Sequence, residues 1–126
     1  MKDNHIRLAK KVFPLAFTMG ALERMEDTIP DFAMGDIGNI LQRTKGFIDC
    51  MYILAQEGAA LEGKALAEDR AWFARHCPVN GDFRAYATAA MINAIVAGME
   101  MESDKDTQEE VDVVLEDLKK KGTETA

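Results

Sequence analysis

Between residues 6 and 17, apolar residues occupy alternate positions on each side of a lysine pair, a pattern that favours extended chain over helix. The apolar positions are Ile6, Leu8, Phe13, Leu15 and Phe17. A Lys10-Lys11 pair separates the two apolar groups and predicts a turn there. Pro14 has no amide hydrogen to give to a neighbouring strand, so any strand around it must lie at a sheet edge. We therefore predict a short extended or β segment over residues 1–17.

Helical spacing begins after residue 18. Thr18 is a candidate N-cap, and Phe17 and Leu22 stand at the two positions whose side chains pack across such a cap. Leu22, Met25 and Ile29 share one face of the predicted helix. Pro30 should end it, because the residue before a proline is disfavoured in helical conformation.

A longer helix is predicted after Asp36, a candidate second cap. Apolar and small residues recur there in steps of three and four, which predicts one largely buried helix of about five turns ending at Gly58. The stripe consists of Ile37, Ile40, Leu41, Thr44, Ile48, Met51 and Ala55. Gly46 weakens the helix and predicts a kink or a close crossing by another element.

Two further helices are predicted before residue 100. The first is short, runs from Leu66 to His76 and ends before Pro78. Asn80 and Asp82 are candidate caps for the second, which is rich in alanine and therefore thin enough for close neighbours. This second helix is a candidate for the centre of the fold. Its apolar stripe is Phe83, Ala87, Ala90, Met91, Ala94, Ile95 and Gly98.

The last predicted helix covers residues 107–121. Thr107 and Glu110 stand three apart, as in the reciprocal capping pattern. One face is lined by Val111, Val114, Leu115 and Leu118. Lys119–Lys121 complement the negative helix end and Gly122 terminates it. Together the patterns predict a mostly α protein, a single compact domain (1–126) of about five helices with the extended segment 1–17 and a linker over 100–106.

Charge is concentrated near the end of this chain of 126 residues, whose net charge is −7. Residues 100–117 hold nine acidic residues and one basic residue, which is a net −8. Such acidity opposes binding to phosphate backbones and anionic lipid, so neither nucleic acid nor membrane is an expected partner. The acidic run is either a solvated linker and helix face or a docking strip for a basic protein.

The residues that could carry chemistry are few and scattered. They are His5, His76, Cys50 and Cys77. Only His76 and Cys77 are close in sequence, and adjacent residues at a helix end point in different directions. We therefore predict no metal, no cofactor and no enzymatic activity. Two cysteines and the lack of a signal-peptide or membrane-spanning pattern lead us to expect a soluble, reducing, cytoplasmic setting.

Eight methionines offer a binding hypothesis. Several stand near helix ends or loops, where flexible thioether side chains can form an adaptable apolar surface. The candidate partner-binding residues are Met25, Phe32, Met34, Met99 and Met101. The alternative is that the methionines fill an alanine-rich core. Met99 and Met101 are the strongest candidates, because they flank the acidic linker.

Two stretches resemble a known family. Residues 13–26, FPLAFTMGALERME, are similar to the opening of the tail assembly chaperones of long-tailed phages and prophages, and residues 112–121, DVVLEDLKKK, are similar to their closing segment. The order of helices is also similar. The resemblance implies a non-enzymatic helical protein of the host bacterial cytoplasm that binds the apolar tape measure protein and keeps it soluble while tail tube subunits assemble around it.

A second hypothesis needs no phage context. A small acidic helical adaptor could use the charged helix to bind a basic protein, and that binding should then collapse at high salt. A third, a cysteine-dependent enzyme, requires a lowered thiol pKa at Cys77. Homo-oligomer formation stays open at this point.

Overall fold

The computed structural model describes residues 4–100, in which a two-stranded hairpin precedes five α-helices. The elements are β1 (His5–Leu8), β2 (Lys11–Pro14), α1 (Met19–Thr28), a 3-10 turn (Met34–Asp36), α2 (Ile37–Gln42), α3 (Thr44–Leu61), α4 (Arg70–His76) and α5 (Gly81–Met99). A mostly α single domain with a short N-terminal β segment is confirmed. The predicted last helix, 107–121, and the linker beyond Glu100 lie outside the described residues.

Helix α3 is the central element. It contacts α1, α2, α4, α5 and β2, and it is buried over most of its length, as the wide apolar stripe predicted. The prediction that the alanine-rich helix is central is wrong. That helix, α5, packs mainly on α3 and β1. Within residues 4–100, the elements that pack on α5 lie on one side of it, and its opposite side is exposed.

The hairpin places alternate side chains in the core. Strands β1 and β2 pair in antiparallel fashion, with Ile6 opposite Phe13, and both of these side chains are buried. The turn lies at Ala9 and Lys10, one residue before the predicted Lys-Lys turn, and both residues have positive φ, 52° and 64°. Positive φ at both central residues is the signature of a type I′ turn, whose backbone twist matches that of the flanking strands.

Helix α1 begins where its cap was predicted. The Thr18 hydroxyl oxygen accepts a hydrogen bond from the Ala21 amide at 3.1 Å and donates one to the Glu57 carboxylate at 2.7 Å. The first bond satisfies an exposed amide of the first turn, and the second ties this helix start to α3. The helix ends at Thr28, before Pro30, as predicted.

The single helix predicted from Asp36 to Gly58 is wrong. The chain becomes extended at Arg43 (φ −86°, ψ 138°), which separates α2 from α3. Asp36 makes no capping bond to the backbone, and its carboxylate instead accepts from the Asn39 side chain at 3.2 Å. Gly46 permits the break, because a Cβ there would overlap the Ile40 carbonyl oxygen. The predicted close contact at Gly46 is confirmed, and its partner is the end of α2.

Gly58 does not end α3, which continues to Leu61. Its role is a close approach between elements. A Cβ at this position would overlap the Pro14 carbonyl oxygen. One turn earlier in α3, the Leu54 carbonyl accepts a hydrogen bond from the Ala16 amide at 3.1 Å. The missing side chain therefore lets the segment after β2 lie directly against the helix backbone.

The two remaining helices are both capped by side chains. α4 starts at Arg70, four residues after the predicted start, because Asp69 accepts from the Trp72 amide at 2.8 Å. The Asn80 side chain caps α5 through the Phe83 amide at 2.7 Å, which confirms that prediction. Both bonds satisfy amides that the first helical turn leaves without a partner.

Candidate functional site

Helix α5 has an apolar inner face that is buried. These inner residues pack toward α3 and β1, and they belong to the stripe predicted from the sequence. They are Ala87, Ala90, Met91, Ala94 and Ile95. Gly98 continues this side, where a Cβ would overlap the Phe17 carbonyl oxygen. The prediction that neighbours approach this thin helix closely is thereby confirmed.

The opposite side of α5 is apolar as well, and it is exposed. We call the five residues that form it the α5 outer face; they are Ala85, Ala89, Ile92, Val96 and Met99. Ile92 is 40% exposed, Val96 38% and Met99 65%. No charged residue occurs between Arg84 and Glu100. A helix with apolar stripes on two opposite sides normally buries both of them, so this face has the character of a binding surface.

The spacing of the outer face is regular. Its residues follow one another in steps of four, three, four and three. This is the spacing of the seam along which one helix packs against another. The stripe is about 21 Å long, since each residue adds about 1.5 Å along the axis. The two N-terminal members are alanines and the three others are larger, so a second helix would approach most closely near Ala85 and Ala89.

A groove lies beside the carboxyl end of α5. Its volume is about 560 Å³, and it runs between the segment after β2, the end of α3 and the last turn of α5. Its lining includes Phe17, Leu61 and Ala97. Leu61 is exposed on its rim. Apolar surface is therefore available at the same end of α5 as Met99.

The five candidate residues from the sequence separate into four groups. Met25 is fully buried in α1 and offers no surface to a partner, so its assignment as a binding residue is corrected to a core residue. Phe32 and Met34 are partly buried and pack against the core. Met99 is exposed and belongs to the α5 outer face. Met101 lies outside the described residues.

Sequence reasoning missed most of the outer face. Ala85, Ala89, Ile92 and Val96 belong neither to the apolar stripe nor to the binding residues predicted from the sequence. A signal was present in the sequence. Once the inner stripe is removed from the uncharged run 85–99, the residues that remain include a second apolar stripe at helical spacing.

A second cleft of about 860 Å³ borders the buried carboxylate of Asp49. Asp49 is only 2% exposed, and its two oxygens accept from Lys45 at 2.7 Å and Arg70 at 2.6 Å. A buried charge of this kind is retained when partners satisfy it. Because Arg70 starts α4 while Asp49 and Lys45 belong to α3, the cluster fastens these two helices together. Among residues 4–100, no group of three or more potential ligands could hold a metal ion.

The cysteines face apolar surroundings rather than a base. Burial raises the pKa of Cys50 to about 12, with the nearby Asp49 charge adding to the effect, and burial raises the pKa of Cys77 to about 11. The Cys77 sulfur lies 3.6 Å from the Met51 sulfur. His76 instead bonds the Trp72 carbonyl through Nδ1 at 2.8 Å. The lowered pKa that the cysteine-enzyme hypothesis requires is the opposite of what Cys77 shows.

The raised pKa values predict the pH dependence of thiol alkylation. Thiolate is the reactive form, so the rate at Cys77 should rise about tenfold per pH unit from 7 to 9.5 without reaching a plateau. An exposed thiol levels off above its ordinary pKa of about 8.5. Iodoacetamide kinetics followed by peptide mass spectrometry, with glutathione as the control thiol, measures this. A plateau at Cys77 anywhere below pH 9.5 would contradict the raised pKa.

Comparisons of the chain with protein family models, with curated proteins and with solved structures find no match. Within residues 4–100, none of the helices combines the length and the apolar character needed to cross a membrane. On the described part of the chain, the exposed apolar residues make the α5 outer face the candidate binding surface.

Proposed function

We propose that this protein is a phage or prophage tail assembly chaperone, which binds the long apolar helix of a tape measure protein and keeps it soluble during tail tube assembly. The observation that carries the proposal is the exposed, uncharged apolar stripe along α5. It complements the resemblance of residues 13–26 and 112–121 to that family. A surface of this kind suits a protein that binds a partner without catalysing a reaction.

The shape of the outer face suits a helical partner. Amphipathic helices bind apolar surfaces through residues spaced three and four apart, and the outer face presents the matching spacing. Ala85 and Ala89 allow the partner backbone to come close. Ile92, Val96 and Met99 supply most of the apolar area, which drives association as it leaves water.

Adaptability and solubility also fit the role. Met99, at the exposed end of the face, has a flexible side chain that can pack against differing partner residues. A tape measure protein would present many different apolar segments, so an adaptable contact is useful. The net charge of −7 on the whole chain favours solubility while the apolar face is occupied.

The proposal is tested by co-expressing the full chain with a helical tape measure fragment from the same genome. Ile92→Asp and Met99→Asp should each weaken capture at least about tenfold, because a charge would be buried against the partner helix. Val79→Asp is the matched control. Val79 is a fully exposed apolar residue before α5, so its replacement should leave both capture and folding unchanged.

Each contrary outcome has a distinct meaning. Lack of capture by the unmodified chain would contradict the chaperone function. Capture that is equally strong in the outer-face variants would mean that the α5 outer face does not contact the tape measure fragment. Capture that survives these variants but is lost at 0.5 M salt would favour the acidic adaptor hypothesis, since screening weakens charge-based binding at roughly that ionic strength.

A further inference from the structure

The groove beside the carboxyl end of α5 combines apolar walls with acidic residues at its edge. Its walls include Phe17 and Ala97, and the exposed residues Glu62 and Glu100 also line it. Of the described residues that line the groove, none is basic. Two positions after Glu62, Lys64 is exposed and is not among the lining residues. The groove is therefore apolar inside and negatively charged where it meets water.

Two long helices end at this groove, and an acidic residue follows each of them. Glu62 comes directly after the last residue of α3, and Glu100 comes directly after the last residue of α5. Within these described helices, the last turn contains no basic residue. The C-terminal end of a helix carries partial negative charge, which basic residues normally complement. A carboxylate at each of these two helix ends therefore adds to the negative potential of the groove instead of offsetting it.

The described part of the chain does not neutralise these two carboxylates. Within residues 4–100, neither Glu62 nor Glu100 forms an ion pair with a basic side chain. The start of α1, by contrast, reaches the groove at Thr18, and its positive end is matched by Glu57, which accepts from the Thr18 hydroxyl at 2.7 Å. A local charge rule that is broken without compensation is expected at a site of function. What would complete the groove is a positive charge.

We propose that this groove receives a lysine or arginine of the partner helix together with an adjacent apolar side chain. The identity of the partner rests on the proposed function, and the groove adds that the preferred tape measure segments carry a basic residue beside their apolar stripe. Lysine and arginine join an apolar stem to a charged end, so the stem packs on the walls while the charge meets the carboxylates. A metal ion is a poorer match, because among residues 4–100 no group of three or more potential ligands could hold one.

The groove continues the α5 outer face. Gly98 and Glu100 line the groove, and Met99 between them is exposed and belongs to the outer face. A helix that lies along the outer face therefore reaches the groove at one end. Apolar contacts along α5 supply affinity, while complementary charge at the groove mainly supplies specificity.

The test is a thermodynamic cycle with the full chain and two labelled peptides. Each peptide is an amphipathic helix with a leucine stripe, about 18 residues long so that it can be helical in water. The two differ only in an arginine or a glutamine next to the stripe. The unmodified chain should bind the arginine peptide about tenfold more tightly, and the Glu62→Gln, Glu100→Gln double variant should lose that preference. Fluorescence anisotropy measures the four affinities.

Glu26→Gln is the matched control variant. Glu26 is an exposed glutamate of α1 that does not line the groove, so its replacement should leave the preference for arginine intact. The double variant should melt at no lower a temperature than the unmodified chain, because it removes negative charge from two helix C-terminal ends. At about 0.5 M salt the two peptides should bind almost equally, since screening weakens the charge contact and leaves the apolar one.

Equal affinity of the two peptides for the unmodified chain at low salt would overturn the proposal, as would a preference for arginine that survives in the double variant. Absence of binding by both peptides would overturn it too. Equally tight binding of a peptide that keeps the arginine but has glutamines in place of its leucines would overturn it in favour of plain charge attraction.

The tape measure capture experiment gives a separate answer. Capture by a chain that shows no preference for arginine would leave the chaperone function in place and reject the role of the groove. A preference for arginine in a chain that captures no tape measure fragment would support the charge selectivity of the groove and contradict the chaperone function.

Discussion

Replacing Gly58 with alanine should lower the free energy of unfolding by about 3 kcal/mol, at the upper end of the cost of overpacking. The added methyl group would overlap the Pro14 carbonyl oxygen. Neither backbone can move away easily, because the Ala16 amide bonds the Leu54 carbonyl one turn earlier. Helix propensity alone predicts the opposite sign, a gain of about 1 kcal/mol. Urea denaturation of the two proteins measures the difference.

Gly38 is the matched control for this experiment. It lies in α2, and a Cβ built on it meets nothing within 4 Å. Gly38→Ala should therefore stabilise the protein by up to about 1 kcal/mol, as expected for a helical glycine in open space. If Gly58→Ala proved as stable as the Gly38 variant, the close approach between α3 and the segment after β2 would be incorrect.

Replacing Met25 with alanine should destabilise the protein by about 3 kcal/mol, within the usual cost of emptying a buried methionine site. Met25 is fully buried where α1 packs on α3. The substitution removes apolar contacts and leaves a cavity that the surrounding side chains fill only in part. Thermal and urea denaturation report the loss.

Met99→Ala is the corresponding surface substitution. Met99 is largely exposed, so its replacement should change stability by less than about 0.5 kcal/mol. Comparing the Met25 and Met99 variants distinguishes the two interpretations of the methionines, as core residues or as a surface for partner binding. Equal, small effects at both positions would mean that Met25 is not a core residue.

Features set by neighbouring residues were predictable from the sequence. Thr18 and Asn80 begin α1 and α5 as predicted, because a capping side chain bonds an amide only a few residues away. The end of α1 before Pro30 and the extended N-terminal segment follow from similarly local restrictions. The burial of helix α3 follows from its wide apolar stripe.

The break between α2 and α3 was not predictable in this way. The apolar stripe continues through Arg43 without interruption, so periodicity indicated one helix. The carbonyls exposed at the end of α2 accept hydrogen bonds from a distant residue instead. Arg84 of α5 donates to the Gln42 carbonyl at 2.5 Å and lies 3.5 Å from the Leu41 carbonyl. The local sequence pattern cannot predict a hydrogen bond to a residue more than forty positions away.

By itself the sequence determined the helical composition, the N-terminal hairpin region, several helix starts and the apolar character of α5. Only the tertiary structure decided that Met25 is buried, that Gly58 is a contact rather than a stop, and which apolar side of α5 is exposed. The physical reason is that both sides of α5 are apolar. Which side leaves water depends on where α3 and β1 pack, and that is settled by contacts between residues far apart in the chain.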